Sequence, residues 1–219
     1  LQKSAIITVA MGDGLRDIFV DLGASRVIEG GQTMNPSTED ILNAINGVNA
    51  EDIYVLPNNG NIVLAANQAA TLTDKNVHVV PTKTVPQGIA ALTAFNPDLG
   101  SEENIASMTS MMKGVKTGQV TYAVRDTNFD DKVIKEGNIL GIADGKINNV
   151  GVDVLEVAES LVKSMVNGES ELITVFYGKD TSEEETKGLV DKLEKESPGC
   201  SVQSYRGGQP LYYYIISVE

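Results

Sequence analysis

The stretch DIYVLPNNGNIVLAANQAATL, residues 52–72, decides the fold. Its first five residues are β-rich and nearly all apolar, PNNG at 57–60 turns the chain, and residues 62–72 are an Ala-rich run of helical character. A strand with apolar side chains on both faces must be covered on both, and the helix reached by a short turn supplies one cover. The same unit recurs on either side. Residues 4–10 (SAIITVA) are a strand with Thr8 inside, and Met11, Gly12, Asp13 and Gly14 turn. Leu15, Ile18, Phe19 and Leu22 then share a helical face that stops at Gly23. Residues 26–29 are a short strand, 30–37 a loop, and 38–48 a helix with Ile41, Leu42 and Ile45 on one side. Downstream, residues 77–80 are a fourth strand and 86–95 a helix with Pro86 near its first turn, where a missing N–H is harmless. Right-handed crossovers between such strands predict a doubly wound α/β lobe over residues 1–115. Its default ligand crevice lies in loops 11–14, 30–37, 57–61 and 81–86.

The pattern then changes. Residues 101–115 read as a helix whose Met108, Met111 and Met112 fill core. Lys116, Thr117 and Gly118 read as a connector. Strands follow at 119–125, 138–143 and 146–150, the last two joined by Asp144-Gly145, a strong hairpin signal. Residues 152–166 are an amphipathic helix, 171–177 a strand, and 182–194 a helix capped by Ser182 or Thr181. Final strands at 200–205 and 211–218 are joined by Gly207, Gly208, Gln209 and Pro210. Hairpins with two helices predict an α+β lobe with a mostly antiparallel sheet over residues 116–219.

Composition narrows the function. Of 219 residues, 17 are Lys or Arg and 30 are Asp or Glu, giving a formal charge of −13, with one His and one Cys. One Cys excludes an internal disulfide, and the inventory excludes a four-ligand structural zinc site. So acidic a chain is ill suited to grip nucleic-acid phosphates. No apolar run approaches the length of a membrane span. Cys200 fits a reducing compartment, and the expected location is cytoplasmic. The chain opens on Leu1, which reads as a piece of a longer protein. Much of the acidic excess sits in residues 180–196, either a solvated helix face or a surface for a basic partner.

Several segments resemble sites. Gly12-Asp13-Gly14 follows a strand and opens a helix, but it lacks the third Gly of a dinucleotide fingerprint and reads as a tight turn. No Gly-rich loop ending in Lys-Ser or Lys-Thr exists for a nucleotide. Asp126, Asn128 and Asp130 imitate the start of a calcium loop, but Asp131 and Gly137 stand where Gly and Glu are required, so a polar turn is expected. His78, inside a strand, reads as a satisfied histidine near the core. The most informative segment is GGQTMNPSTED, residues 30–40. Two Gly permit unusual backbone, Pro36 holds Asn35 extended, and Ser37 or Asn35 caps the helix. Gly31, Gln32, Thr33, Asn35, Ser37 and Thr38 either present amides and hydroxyls to a carboxylate or phosphate, or serve the cap itself. Asn58, Asn59 and Asn61 form a second amide-rich loop, open to the same two readings.

Four separated motifs carry a family resemblance: VAMGDG at 9–14, GGQTMNPSTEDI at 30–41, LPNNGNIVLAANQAA at 56–70 and GGQPLYYYIISVE at 207–219. They resemble the C-terminal domain found in the A subunit of bacterial fatty acid kinase, the dihydroxyacetone-kinase-like (DAK phosphatase, YloV-type) family, over nearly the whole chain. The resemblance implies a DegV-like two-lobe fold, α/β plus α+β. It implies an ATP-binding kinase domain elsewhere in the parent protein, which would hold ATP and Mg, with no cofactor in this domain. The partner it implies is a fatty-acid-binding B subunit, and a homodimer is a further expectation. The lipid-binding relatives keep a Ser-Gly-Thr turn for the fatty-acid carboxylate where this chain has Asn59-Gly60-Asn61. They keep a late His where this chain has Gly207, Gly208, Gln209 and Pro210. Two headgroup contacts are therefore gone, and the expected role is a non-catalytic domain docking the B subunit. A lipid- or anion-binding module using loops 30–38 and 57–61 is the alternative. The acidic helix, the crevice loops and Tyr212 to Tyr214 are the candidate docking faces.

Overall fold

The computed structural model describes residues 1–31 and 33–219; Gln32, one of the expected loop residues, lies outside the described residues. The chain divides into two compact units, Leu1–Val115 and Lys116–Glu219.

The first unit is a four-stranded parallel sheet of β1 (Gln2–Ala10), β2 (Arg26–Glu29), β3 (Ala50–Leu56) and β4 (Asn76–Val79), in the order β2-β1-β3-β4. Its helices are α1 (Asp13–Asp21), α2 (Thr38–Asn46), α3 (Gly60–Thr71), α4 (Val85–Ala94) and α5 (Ser101–Lys113). The period of two along each strand sorts its side chains. Ile7, Val9, Ile53 and Val55 pack with Ile41 and Ile45 of α2 and with Ile62 and Ala66 of α3. Their neighbours Ile6, Tyr54 and Leu56 are buried on the other face. There Phe95, at the end of α4, meets the Tyr54 ring edge-on at 5.2 Å. Both faces are covered, as all-apolar strands demand. Gly23 takes φ 110° just past α1, the left-handed stop that its position predicts.

The second unit holds β5 (Lys116–Tyr122), β6 (Thr127–Phe129), β7 (Lys132–Ile134), β8 (Ile139–Ala143), β9 (Lys146–Gly151), α6 (Val154–Met165), β10 (Leu172–Tyr177), α7 (Glu183–Glu196), β11 (Ser201–Arg206) and β12 (Tyr214–Val218). Six of these strands form one sheet, β11-β10-β12-β5-β8-β9, antiparallel except for the β10–β11 pair. Leu161 and Val162 of α6 and Leu189 and Leu193 of α7 pack against Val120, Ile173, Val175 and Ile216 of the sheet. Asp144 and Gly145 both take positive φ, 47° and 84°, as a two-residue hairpin turn requires.

Three local expectations are corrected. Lys116, Thr117 and Gly118 belong to β5 and are no connector. Gly118 is there because α6 lies close above: a Cβ would stand 2.9 Å from Met165 Sδ. The polar turn expected near Asp126 to Asp131 is the tip of a hairpin, β6–β7, with Asp130 at φ 52°. Three-residue strands are too short to show a period. The last strand begins at Tyr214 rather than at Leu211: Gly207 and Gly208 bond Tyr177 at the end of β10, and the carbonyls of Gln209 and Tyr213 accept from Lys179 and Gly178 just beyond it. Among the described residues, no helix is long and apolar enough to cross a membrane.

Candidate functional site

The order β2-β1-β3-β4 reverses direction between β1 and β3, and the loops after those two strands flank this switch point. Asn58 sits in the second of them at φ 59°, only 8% exposed. Its Nδ2 donates to Thr8 Oγ1 at 2.7 Å and to the Val9 carbonyl at 2.9 Å. Its backbone N–H donates to Thr82 Oγ1 at 3.0 Å, and that hydroxyl donates to Asn58 Oδ1 at 2.9 Å. Thr8 in turn donates to the Leu56 carbonyl at 3.1 Å. Gly88 of α4 is pressed against the same amide, where a Cβ would lie 2.0 Å from Oδ1. The side chain of Asn58, expected to face a ligand or a cap, instead latches β1, the end of β3 and the loop before α4 together. Thr8 and Thr82 are not among the expected site residues. The sequence signal for Thr8 is a lone hydroxyl inside an apolar strand, which needs a partner once buried.

The loop before α2 is a tight structure of its own. Gly31 and Met34 exchange two backbone hydrogen bonds of 3.0 Å each. A Cβ on Gly30 would meet the Met34 carbonyl at 2.6 Å and Pro36 Cδ at 2.9 Å. Ser37 caps α2: its hydroxyl accepts from the Asp40 N–H at 3.0 Å, while its own N–H donates to the Asp40 carboxylate at 2.9 Å. That backbone donor, seconded by the hydroxyl, holds the Asp40 carboxyl below its ordinary range. Thr38 Oγ1 donates to Gln68 of α3 at 3.2 Å. Thr33, Asn35 and the 63%-exposed Met34 face outward. Asn59 caps α3 by accepting from the Asn61 N–H at 2.9 Å, and Asn61 is exposed.

The late glycine turn belongs to the second unit. Gly207 and Gly208 both donate to the Tyr177 carbonyl, at 2.9 and 3.1 Å. Gln209, 3% exposed, donates through Nε2 to the Phe176 carbonyl at 3.0 Å, and its own carbonyl accepts from Lys179 N–H at 3.0 Å. Its Oε1 has no partner among the described residues. Gly178 is required opposite, since a Cβ there would fall 2.2 Å from the Tyr212 carbonyl. Burial pushes the Tyr212 phenol up to about 12, so it stays neutral near pH 7.

Thus Asn59 and Asn61 share one helix start, and Ser37 and Thr38 tie α2 to itself and to α3. Asn58 stands apart in a buried network. His78 lies within β4 and bonds Asp52 of β3 at 2.9 Å, satisfied as expected. Among the described residues, no three of His, Cys, Asp and Glu gather as a metal site.

Residues 5–219 match the FakA-like C-terminal family, whose members are like the C-terminal part of the fatty acid kinase A subunit. Protein YloV of Bacillus subtilis is 50% identical over 218 residues, which are 100% of this chain and 39% of YloV. The chain therefore spans well under half the length of that relative. Among solved structures, a DegV family protein from Ruminococcus gnavus refined with vaccenic acid superimposes with a TM-score of 0.68 at 15% identity, covering 99% of each chain. The Fak B3 protein of Streptococcus pneumoniae loaded with linoleic acid gives 0.64 at 12% identity, covering 100% of this chain and 99% of its own. At these identities the likeness establishes the fold alone, and that fold is DegV-like.

Proposed function

Because the chain belongs to the FakA-like C-terminal family of fatty acid kinases, we propose that it is a non-catalytic docking domain. It receives a fatty-acid-loaded B subunit of the same fold, so that a kinase domain elsewhere in the protein phosphorylates the bound acid in the cytoplasm. One observation supports this above others. The scaffold resembles Fak B3, a protein loaded with linoleic acid, yet four polar residues of its crevice loops, Ser37, Thr38, Asn58 and Asn59, are bonded within the fold. Ser37, Thr38, Asn58 and Asn59 are engaged in caps and in the latch, and a group so engaged is a poor carboxylate receptor. ATP and Mg would be held by the kinase domain of such a protein. The sequence here offers no Gly-rich loop with Lys for the phosphates.

Titration calorimetry of the chain against the B subunit of the same cell, loaded with fatty acid, tests the reading. A saturable heat with one-to-one stoichiometry is expected. No detectable association would overturn it. Acyl chains retained by the chain itself in native mass spectrometry would favour a lipid-binding module at loops 30–38 and 57–61 instead.

A further inference from the structure

Among the described residues, four other than Gly take a positive φ: Asn58, Asp130, Asp144 and Leu211. Asn and Asp tolerate that region, and a bulky aliphatic residue does not. Leu211 stands there at φ 70°, in the turn between β11 and β12. The Tyr212 N–H donates to the Pro210 carbonyl at 2.8 Å, closing a three-residue turn across Leu211, the rarer and strained kind. Just before Pro210, the buried Gln209 keeps an Oε1 with no partner among the described residues. A strained backbone and an orphaned acceptor thus sit two residues apart, and each calls for a reason. The anchors on either side hold them in place. Gly207 and Gly208 are fastened to the Tyr177 carbonyl. Tyr213 donates its N–H to the Val120 carbonyl at 2.8 Å, and its own carbonyl accepts from the Gly178 N–H at 2.9 Å.

We propose that residues 209–212 are a strap that opens between these two anchors while the sheet stays intact. In the open form Leu211 leaves the left-handed region and the Gln209 carboxamide turns out to water. The strap's own bonds are the ones given up: Tyr212 to Pro210, Lys179 N–H to the Gln209 carbonyl, Gln209 Nε2 to the Phe176 carbonyl, and Thr121 Oγ1 to the Leu211 carbonyl at 2.7 Å. Pro210, Leu211 and Tyr212 are only half-buried, so the groups freed there meet water, which replaces most of what each bond contributes. Against that loss, opening removes the positive φ of Leu211 and gives Gln209 Oε1 a donor. The balance makes this the segment of the second unit poised to move alone. Opening presents the Gln209 amide and the Tyr212 phenol beside the end of β10 and the start of β12, a contact surface that the closed form withholds.

Backbone amide exchange of the chain, followed by NMR over a series of low urea concentrations, tests this. The Tyr212 and Lys179 amides are expected to exchange through a local opening with little dependence on urea, about a hundredfold or more faster than the amide of Ile216 within β12. Leu211→Asn, close to Leu in size and tolerant of positive φ, should slow that opening about three- to tenfold. Leu211→Gly should slow it as well, and Leu211→Val should hasten it. Tyr212 and Lys179 amides that exchange no faster than Ile216, with the same urea dependence, overturn the strap. So does a local opening that is no slower in Leu211→Asn than in the unsubstituted chain, because strain at Leu211 would then not drive it. The Asn and Gly variants decide the matter even if Leu211→Val fails to fold.

Discussion

Asn58 and Thr82 are bonded twice, backbone N–H to hydroxyl at 3.0 Å and hydroxyl to side-chain carbonyl at 2.9 Å, across 24 residues of sequence. Each makes the other's polar groups tolerable in a buried place. Asn58→Ala would remove the acceptor of the Thr82 hydroxyl and the donor to Thr8 Oγ1 and the Val9 carbonyl, and place Ala at positive φ. Each buried group left unpaired costs about 1–3 kcal/mol. A loss of about 3 kcal/mol or more is expected, read as a lower urea midpoint with unchanged slope. Thr82→Val should also destabilise, by about 2 kcal/mol or more, because both the Asn58 N–H and its Oδ1 lose their partner at about 1–3 kcal/mol each.

Gly88→Ala separates local preference from packing. Inside a helix, Ala is favoured over Gly by about 1 kcal/mol. Here the new Cβ would stand 2.0 Å from Asn58 Oδ1. The expected outcome is therefore a destabilised protein, measured by thermal unfolding. In an Asn58→Ala background the same change should become neutral or stabilising, because the obstructing amide is gone. Persistent destabilisation in the double variant would show that Asn58 is not what Gly88 accommodates.

These two residues also mark the limit of what the sequence discloses. The first unit is legible because its elements carry local signals: Gly23 stops α1, Ser37 caps α2, and the apolar strands require two covers. Asp144-Gly145 declares its hairpin for the same reason. The latch is not legible. Thr8 and Thr82 lie 50 and 24 residues from Asn58, and no local rule pairs them. By local rules Asn58 belongs to an amide-rich loop facing the crevice or serving a helix cap. The late turn is legible as a turn, but not the burial of Gln209 beneath β10. Gly118 misleads for a related reason: its role depends on α6, which lies further along the chain than any local rule reaches.

Lys75 ends α2 from outside the helix. Its ammonium donates to the carbonyls of Ile45 and Asn46, each at 3.2 Å, and to that of Val48. Ile45 and Asn46 stand in the last turn of α2 and Val48 just past its cap, where carbonyls are short of intrahelical donors and a cation is favoured by the dipole. Lys75→Met keeps most of the stem and removes the charge. It should cost about 1–2 kcal/mol. Amide hydrogen exchange should show faster opening in the last turn of α2, with α4 and α5 unaffected.

The cap at the other end of α2 gives a pH signature. Removing the Ser37 hydroxyl by Ser37→Ala should cost about 1 kcal/mol at neutral pH. The Asp40 carboxyl, held below its ordinary 3.8 by the Ser37 N–H and hydroxyl, binds its proton less tightly in the folded chain than in the unfolded one. Its contribution is thus fully present above 3.8 and is lost as pH falls through the lowered folded value. Asp40→Asn should flatten that acid limb and leave the neutral-pH melting temperature less changed than Ser37→Ala does. The check is a pair of melting curves, one at neutral pH and one near pH 3, for the unsubstituted chain and both variants. An acid limb as steep in Asp40→Asn as in the unsubstituted chain would place the titration on another carboxylate.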